Sequence, residues 1–136
     1  MKKIFPVIVV IGVLLLIVLG VPKVFTPSID ERIAKHAREA NASLPMKVDG
    51  DTRLEKIVPG KSKFFSYHYT LVNTEFKDIN PFHFRSTMKP RMKQHLMNTP
   101  EMHYLFKEGV TISYVYSDQG GTVIAKFDIT PADLGF

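Results

Sequence analysis

The sequence predicts an α+β domain that follows a single membrane-spanning helix near the N-terminus. Residues 4–21 form an uncharged apolar run. Further along the chain, two pairs of segments alternate apolar and polar residues, as the strands of β-hairpins do. Segments with helical periodicity lie before and between those pairs. We therefore expect a transmembrane helix, then a small antiparallel sheet of about four strands in two hairpins, covered by two or three helices.

The apolar run over residues 4–21 directly follows Lys2 and Lys3. A helix needs about 20 apolar residues to cross a bilayer, so this run is at the short end of the range. We assign residues 1–22 to an uncleaved transmembrane signal-anchor. The alternative is a signal peptide cleaved after Gly20. The apolar run is, however, longer than the about 7–15 residues usual for signal peptides, and no A-x-A pattern follows it.

The charges around the anchor predict its orientation. Lys2 and Lys3 favour a cytoplasmic N-terminus, although basic residues between positions 23 and 38 weaken this bias. We expect a single-pass protein of a bacterial inner membrane, with the N-terminus inside and the domain in the periplasm. Residues 23–43 would form a juxtamembrane linker and an amphipathic helix, and residues 44–136 the extracytoplasmic domain.

The first helix and the first hairpin have clear signals. Ser28 and Glu31 have the spacing of a capping box, and apolar residues then recur at helical spacing through Asn41. This helix either lies on the sheet or connects the anchor to the domain. Residues 53–58 and 63–72 are the expected strands of the first hairpin.

A helical region separates the two hairpins. Residues 78–98 have Pro81 in the first turn of a predicted helix and an apolar residue every four positions. A second short helix follows and stops at Gly109. Residues 110–117 and 122–129 alternate cleanly and predict the second hairpin.

The chain carries no recognisable catalytic or metal-binding motif. It has no cysteine, which excludes disulfides and thiolate chemistry. The five histidines have no zinc-site spacing, and a zinc site needs three or four converging ligands. Asp49 and Asp51 resemble the start of a calcium loop whose remaining ligands are missing, so we interpret them as a turn. We therefore predict a protein that is not an enzyme and that uses no metal or cofactor.

Two surfaces are candidates for binding a partner. The first is an aromatic set on one face of the central strands, formed by Phe65, Tyr67, Tyr69, Tyr114 and Tyr116. These rings either pack in the core beneath the helices or form an exposed face that docks a partner. If the two strands that carry them are neighbours, the rings would form cross-strand pairs.

The second candidate surface is the basic face of the long helix, formed by Arg85, Lys89, Arg91 and Lys93. The simpler interpretation is a solvated face. The functional one is attraction to an acidic protein or to anionic lipid. The net charge of +5 includes the two lysines of the anchor, and this mild excess argues against nucleic-acid binding.

The predicted function is that of a membrane-anchored accessory protein whose domain binds a protein partner or stabilises a membrane complex. The partner-binding residues would be the basic helix face and four tyrosines, Tyr67, Tyr69, Tyr114 and Tyr116. An inhibitor, immunity or exclusion protein at the membrane would fit the same features. A small hydrolase or metal-binding enzyme would need a cluster of polar side chains that the sequence does not display.

Overall fold

The structure is a computed structural model that describes residues 26–136. It confirms an α+β fold, with a five-stranded sheet and three α-helices. The predicted anchor over residues 1–22, and the cleavage site after Gly20, lie outside the described residues. Within residues 26–136, no helix combines the length and apolarity needed to cross a bilayer.

The helices and strands follow one another along the chain in the order expected from the sequence, with one additional short strand before the first hairpin. They are α1 (Ile29–Asn41), β1 (Met46–Lys47), β2 (Thr52–Pro59), β3 (Phe64–Leu71), α2 (Pro81–Met97), α3 (His103–Lys107), β4 (Thr111–Ser117) and β5 (Val123–Ile129). Both predicted hairpins are confirmed, because β2 pairs with β3 and β4 pairs with β5, each antiparallel.

The prediction of a purely antiparallel, four-stranded sheet is wrong. The strand order is β1-β2-β3-β4-β5, and the central pair, β3 with β4, is parallel. The reason is the connection over residues 72–110, which contains α2 and α3 and returns the chain to the end of the sheet where β3 began. The strand that the sequence did not predict is β1, which has only two residues. So short a segment shows no alternation of apolar and polar residues.

Helix α1 belongs to the same core as the sheet. The predicted capping box is confirmed: the Ser28 hydroxyl accepts a hydrogen bond from the backbone N–H of Glu31, and the Glu31 carboxylate accepts one from the N–H of Ser28. Ile33 and Ala37 are buried on the inner face of the helix, which packs against β2. Apolar burial on one helix face thus fixes α1 to one half of the sheet.

Helix α2 lies at the other half of the sheet, against β5. The Asn80 side chain caps it by accepting from the N–H of His83, and Pro81 occupies the first turn as expected. Leu96 is the one fully buried residue of this helix. Leu105 of α3 is also fully buried in the core, and the segment after α3 ends at Gly109, whose φ of +87° suits glycine.

Candidate functional site

Four tyrosines form an aromatic floor on the helix-covered face of β3 and β4. In the parallel register Tyr67 lies opposite Tyr114, and Tyr69 lies opposite Tyr116. The ring centroids of these pairs are 5.6 and 4.9 Å apart and the rings are stacked. The expected cross-strand aromatic pairs are therefore present, and such pairs contribute about 0.5–1.5 kcal/mol each beyond their burial.

Of the two alternatives for these tyrosines, the structure shows packing in the core beneath the helices and not an exposed aromatic face. Their exposed fractions are between 2 and 7 %, because α1 and α2 cover this face of the sheet from its two sides. Within residues 26–136, none of the four hydroxyl groups has a hydrogen-bond partner, and none of their oxygens is fully buried, so they remain accessible to solvent. Burial raises the pKa of all four hydroxyls, so they remain neutral donors at physiological pH.

One flank of α2 lies above the aromatic floor, and the side chains on this flank are incompletely packed. Phe84, Met88 and Met92 are half-buried, at the helical spacing noted in the sequence. One turn away lies His95, whose Nε2 atom is buried and has no partner among residues 26–136. Burial lowers the pKa of His95, so the ring is neutral at pH 7. Arg91 is exposed and lines the same space.

The opposite wall comes from the start of β2, the turn before it and the end of β3. Four residues supply it, namely Val48, Asp49, Thr52 and Leu71. Together with the tyrosine floor and the α2 flank they enclose a cavity of about 460 Å³ that is open to the surface, which we call the tyrosine groove. Its volume lies within the range of about 300–1,000 Å³ typical of binding pockets.

The basic face predicted from the sequence divides between two places. Arg91 lies at the tyrosine groove, whereas Arg85, Lys89 and Lys93 lie on the other flank of α2. There they face the outer edge of β5 across a second, more open groove of about 710 Å³, which we call the edge groove. The structure therefore separates residues that the sequence reading had placed on one surface.

The remaining polar candidates do not form a metal site. Asp49 accepts a hydrogen bond from the backbone N–H of Asp51 at 2.8 Å, which confirms the turn interpretation of this pair. His103 contacts the carbonyl oxygen of Leu96 at 3.1 Å. Among residues 26–136, no three histidine or acidic side chains are grouped as metal ligands.

The site thus defines the molecule as a small α+β domain with an open groove between α2 and an aromatic sheet face. The chain belongs to a family described as a domain of unknown function, DUF8479, whose model matches residues 28–125. The matched region begins at the N-cap of α1 and ends within β5, so it includes the tyrosine groove. No curated protein sequence matches the chain.

Two solved structures share the fold. One is a Pseudomonas aeruginosa protein described as secreted, with a TM-score of 0.63 and 13 % identity over 78 % of this chain and 92 % of that one. The other is the pilotin EpsS of the Vibrio vulnificus type 2 secretion system, with a TM-score of 0.63 and 13 % identity over 79 % of this chain and 93 % of that one. At this identity the likeness shows a common fold.

Proposed function

We propose that this chain is a membrane-anchored accessory protein that binds a protein partner in the tyrosine groove. Residues 1–22 would hold it in a bacterial inner membrane, with the domain in the periplasm. The fold shared with a pilotin and with a protein described as secreted supports an accessory role outside the cytoplasm. The protein would act by binding rather than by catalysis.

The observation that carries this proposal is the mixed lining of the groove, in which half-buried apolar side chains of α2 face polar atoms that have no partner within residues 26–136. The hydroxyls of Tyr69 and Tyr116 are among these atoms, and their oxygens are open to the groove. The Nε2 atom of His95 is fully buried and unpaired among the same residues, and such an atom costs about 1–3 kcal/mol. An occupant that combines apolar surface with hydrogen-bonding atoms would satisfy both parts of this lining.

The occupant we infer is one face of an amphipathic helix from the partner, on which apolar side chains are accompanied by hydrogen-bonding ones. The groove of about 460 Å³ between the flank of α2 and the opposite wall accommodates a row of side chains, which is what such a helix presents along one face. Phe84, Met88 and Met92 would pack against that row, and flexible methionines suit such contacts. Arg91 at the rim would pair with an acidic residue of the partner helix.

The test places a charge in the groove and compares it with the same charge outside. Met88→Asp puts a carboxylate against the half-buried lining, whereas Thr87→Asp puts it on the adjacent, exposed position of α2. The full-length variants are expressed in the native host, cross-linked in membranes and purified. We expect Met88→Asp to lose the co-purifying partner and Thr87→Asp to retain it.

Thermal melting by circular dichroism separates loss of binding from loss of folding. Should Met88→Asp melt at a much lower temperature, Met92→Gln replaces it, because that change removes apolar surface without adding charge. Retention of the partner by a folded groove variant would refute the tyrosine groove as the binding site. A small apolar molecule in place of a protein, identified by mass spectrometry of the purified chain, would refute the proposed partner class.

A further inference from the structure

Strand β5 ends the sheet with an unpaired edge. It pairs with β4 on one side, and no strand within residues 26–136 pairs with its other side. Alternate residues of such an edge direct their backbone N–H and C=O groups outward, where they can pair with another strand. β5 has seven residues, which is a long edge, and Val123 at its start is more than half exposed.

The edge groove gives this free strand a cationic wall. Arg85, Lys89 and Lys93 follow one another at intervals of four residues along one stripe of α2. Within residues 26–136, Arg85 and Lys93 have no ion-pair partner. Lys89 has a loose one, with its Nζ 3.8 Å from the carboxylate of Asp133.

The acidic residues of the groove offset the charge of this wall only in part. The Asp133 carboxylate already accepts hydrogen bonds from the backbone N–H of Thr130 at 2.8 Å and from the Thr130 hydroxyl at 3.1 Å. These bonds, and to a smaller extent the charges of Lys89 and Lys93, hold the pKa of Asp133 below its usual range. Asp128 is the other acidic residue lining the groove, and Lys126 adds a further cation.

The spacing of the cationic wall matches an extended chain. Four residues of a helix advance by about 6 Å, so the three cations are about 6 Å apart along α2. Alternate residues of a strand are about 6.6 Å apart. A strand laid against β5 would therefore place side chains of every second residue beside Arg85, Lys89 and Lys93, within the reach of these long side chains.

We propose that the edge groove binds an extended acidic segment of a partner protein by strand addition to β5. The partner's backbone pairs with the outer edge of β5, and acidic side chains at alternate positions pair with the three cations. Phe82, which is 72 % exposed at the end of the groove, packs against the partner's first or last apolar side chain. This surface is independent of the tyrosine groove, so either site stands or fails alone.

An anionic lipid surface is the competing occupant, and the free strand edge disfavours it. Lipid headgroups would use the cations but leave the backbone groups of β5 without partners. A strand uses both. Hydrogen bonding by the backbone groups of β5 therefore distinguishes the two occupants, and the experiment tests that hydrogen bonding directly.

The probe is a capped peptide of about seven residues in which three glutamates alternate with valine and threonine, long enough to follow the groove. It is titrated by fluorescence anisotropy into the full-length chain in an uncharged detergent. A second peptide is N-methylated at alternate amides and keeps every charge. We expect N-methylation, and separately the double variant Arg85→Glu/Lys93→Glu, to weaken binding on the order of tenfold or more. Hydrogen exchange should slow within residues 123–129 on binding.

The charge-matched control is Lys61→Glu/Lys107→Glu, which changes two exposed lysines outside both grooves. This control should bind the probe as the unmodified chain does. Equal affinity for the N-methylated peptide, or protection that falls on residues 67–71 instead of β5, would overturn strand addition. Vesicles of phosphatidylglycerol that bind through Arg85 and Lys93 while the peptide does not bind at all would overturn it in favour of lipid.

Discussion

His36 makes the stability of the domain sensitive to mild acid. Its side chain is 1 % exposed on the inner face of α1, and neither ring nitrogen has a hydrogen-bond partner within residues 26–136. Burial disfavours the charged ring and lowers its pKa from 6.5 to about 4, against a smaller opposing effect of Glu39. The folded protein therefore holds His36 neutral where the unfolded chain would protonate it.

The sign and size of the effect follow from linkage. Because the folded pKa lies below the unfolded one, the unfolded chain binds the extra proton between about pH 6.5 and about pH 4, and stability falls as the pH falls through that window. At 1.36 kcal/mol per pKa unit, the contribution of His36 changes by about 2 kcal/mol between about pH 7.5 and about pH 5. For a domain of marginal stability this is a substantial fraction of the total.

The perturbation that isolates this effect is His36→Leu, which keeps a buried side chain and removes the titrating group. Urea unfolding of the full-length chain, followed by circular dichroism, gives the free energy of unfolding at both pH values. We expect the unmodified chain to lose about 2 kcal/mol more than His36→Leu over this interval. His68 and His95 also have lowered pKa values, but they titrate in both proteins and cancel in the comparison.

The matched control is His83→Leu on the exposed surface of α2. It should retain the acid sensitivity of the unmodified chain. If His36→Leu and the unmodified chain lost the same free energy between about pH 7.5 and about pH 5, the reasoning from His36 would be refuted.

Three further substitutions test the local contacts that hold the fold. Asn41→Ala removes a side chain that donates to the carbonyl of Ile57 and accepts from its N–H, both at 2.8 Å. It should lower the free energy of unfolding by about 1–3 kcal/mol in urea titrations, and a loss under about 0.5 kcal/mol would contradict this. Ser28→Ala removes the α1 cap and should cost about 1 kcal/mol in the same assay, while no measurable loss would show that the cap is dispensable. Asp118 accepts from three backbone N–H groups at 2.8–2.9 Å, which lower its pKa, so its stabilisation is present at neutral pH and lost in acid. Asp118→Asn should therefore melt at a lower temperature than the unmodified chain at neutral pH, and identical melting would exclude this role of the carboxylate.

Local sequence signals predicted the helices and strands well, because each of these signals depends only on residues that are near one another in the chain. The capping box at Ser28, Pro81 in the first turn of α2 and the two hairpins all follow from short spacings in the sequence. The parallel pairing of β3 with β4 depends instead on how a long connection returns across the sheet. No local pattern contains that information, and the alternation of each strand is the same in either pairing.

The candidate site was only partly predictable. Alternation placed the tyrosines on one face, but whether that face was exposed depended on where α1 and α2 packed. The division of the basic helix face, in contrast, was available from the sequence. At 100° per residue, Arg91 is turned about 200° from Lys89, whereas Arg85, Lys89 and Lys93 follow one stripe. No sequence pattern predicted that Val48 and Leu71 line the same groove, because tertiary packing alone brings them together.

The length of α2 supports the interpretation of the tyrosine groove as a binding site. A 17-residue helix normally buries a full apolar stripe against its domain, yet α2 fully buries only Leu96. Full burial of a side chain such as Met or Phe contributes about 1.5–3 kcal/mol, so the half-buried Phe84, Met88 and Met92 together leave about 2–4 kcal/mol unrealised. The isolated domain could realise it only by closing α2 onto the sheet, which would remove the tyrosine hydroxyls from water without giving them partners. A partner helix that also carries hydrogen-bonding side chains on the inserted face realises this burial and pairs with those hydroxyls.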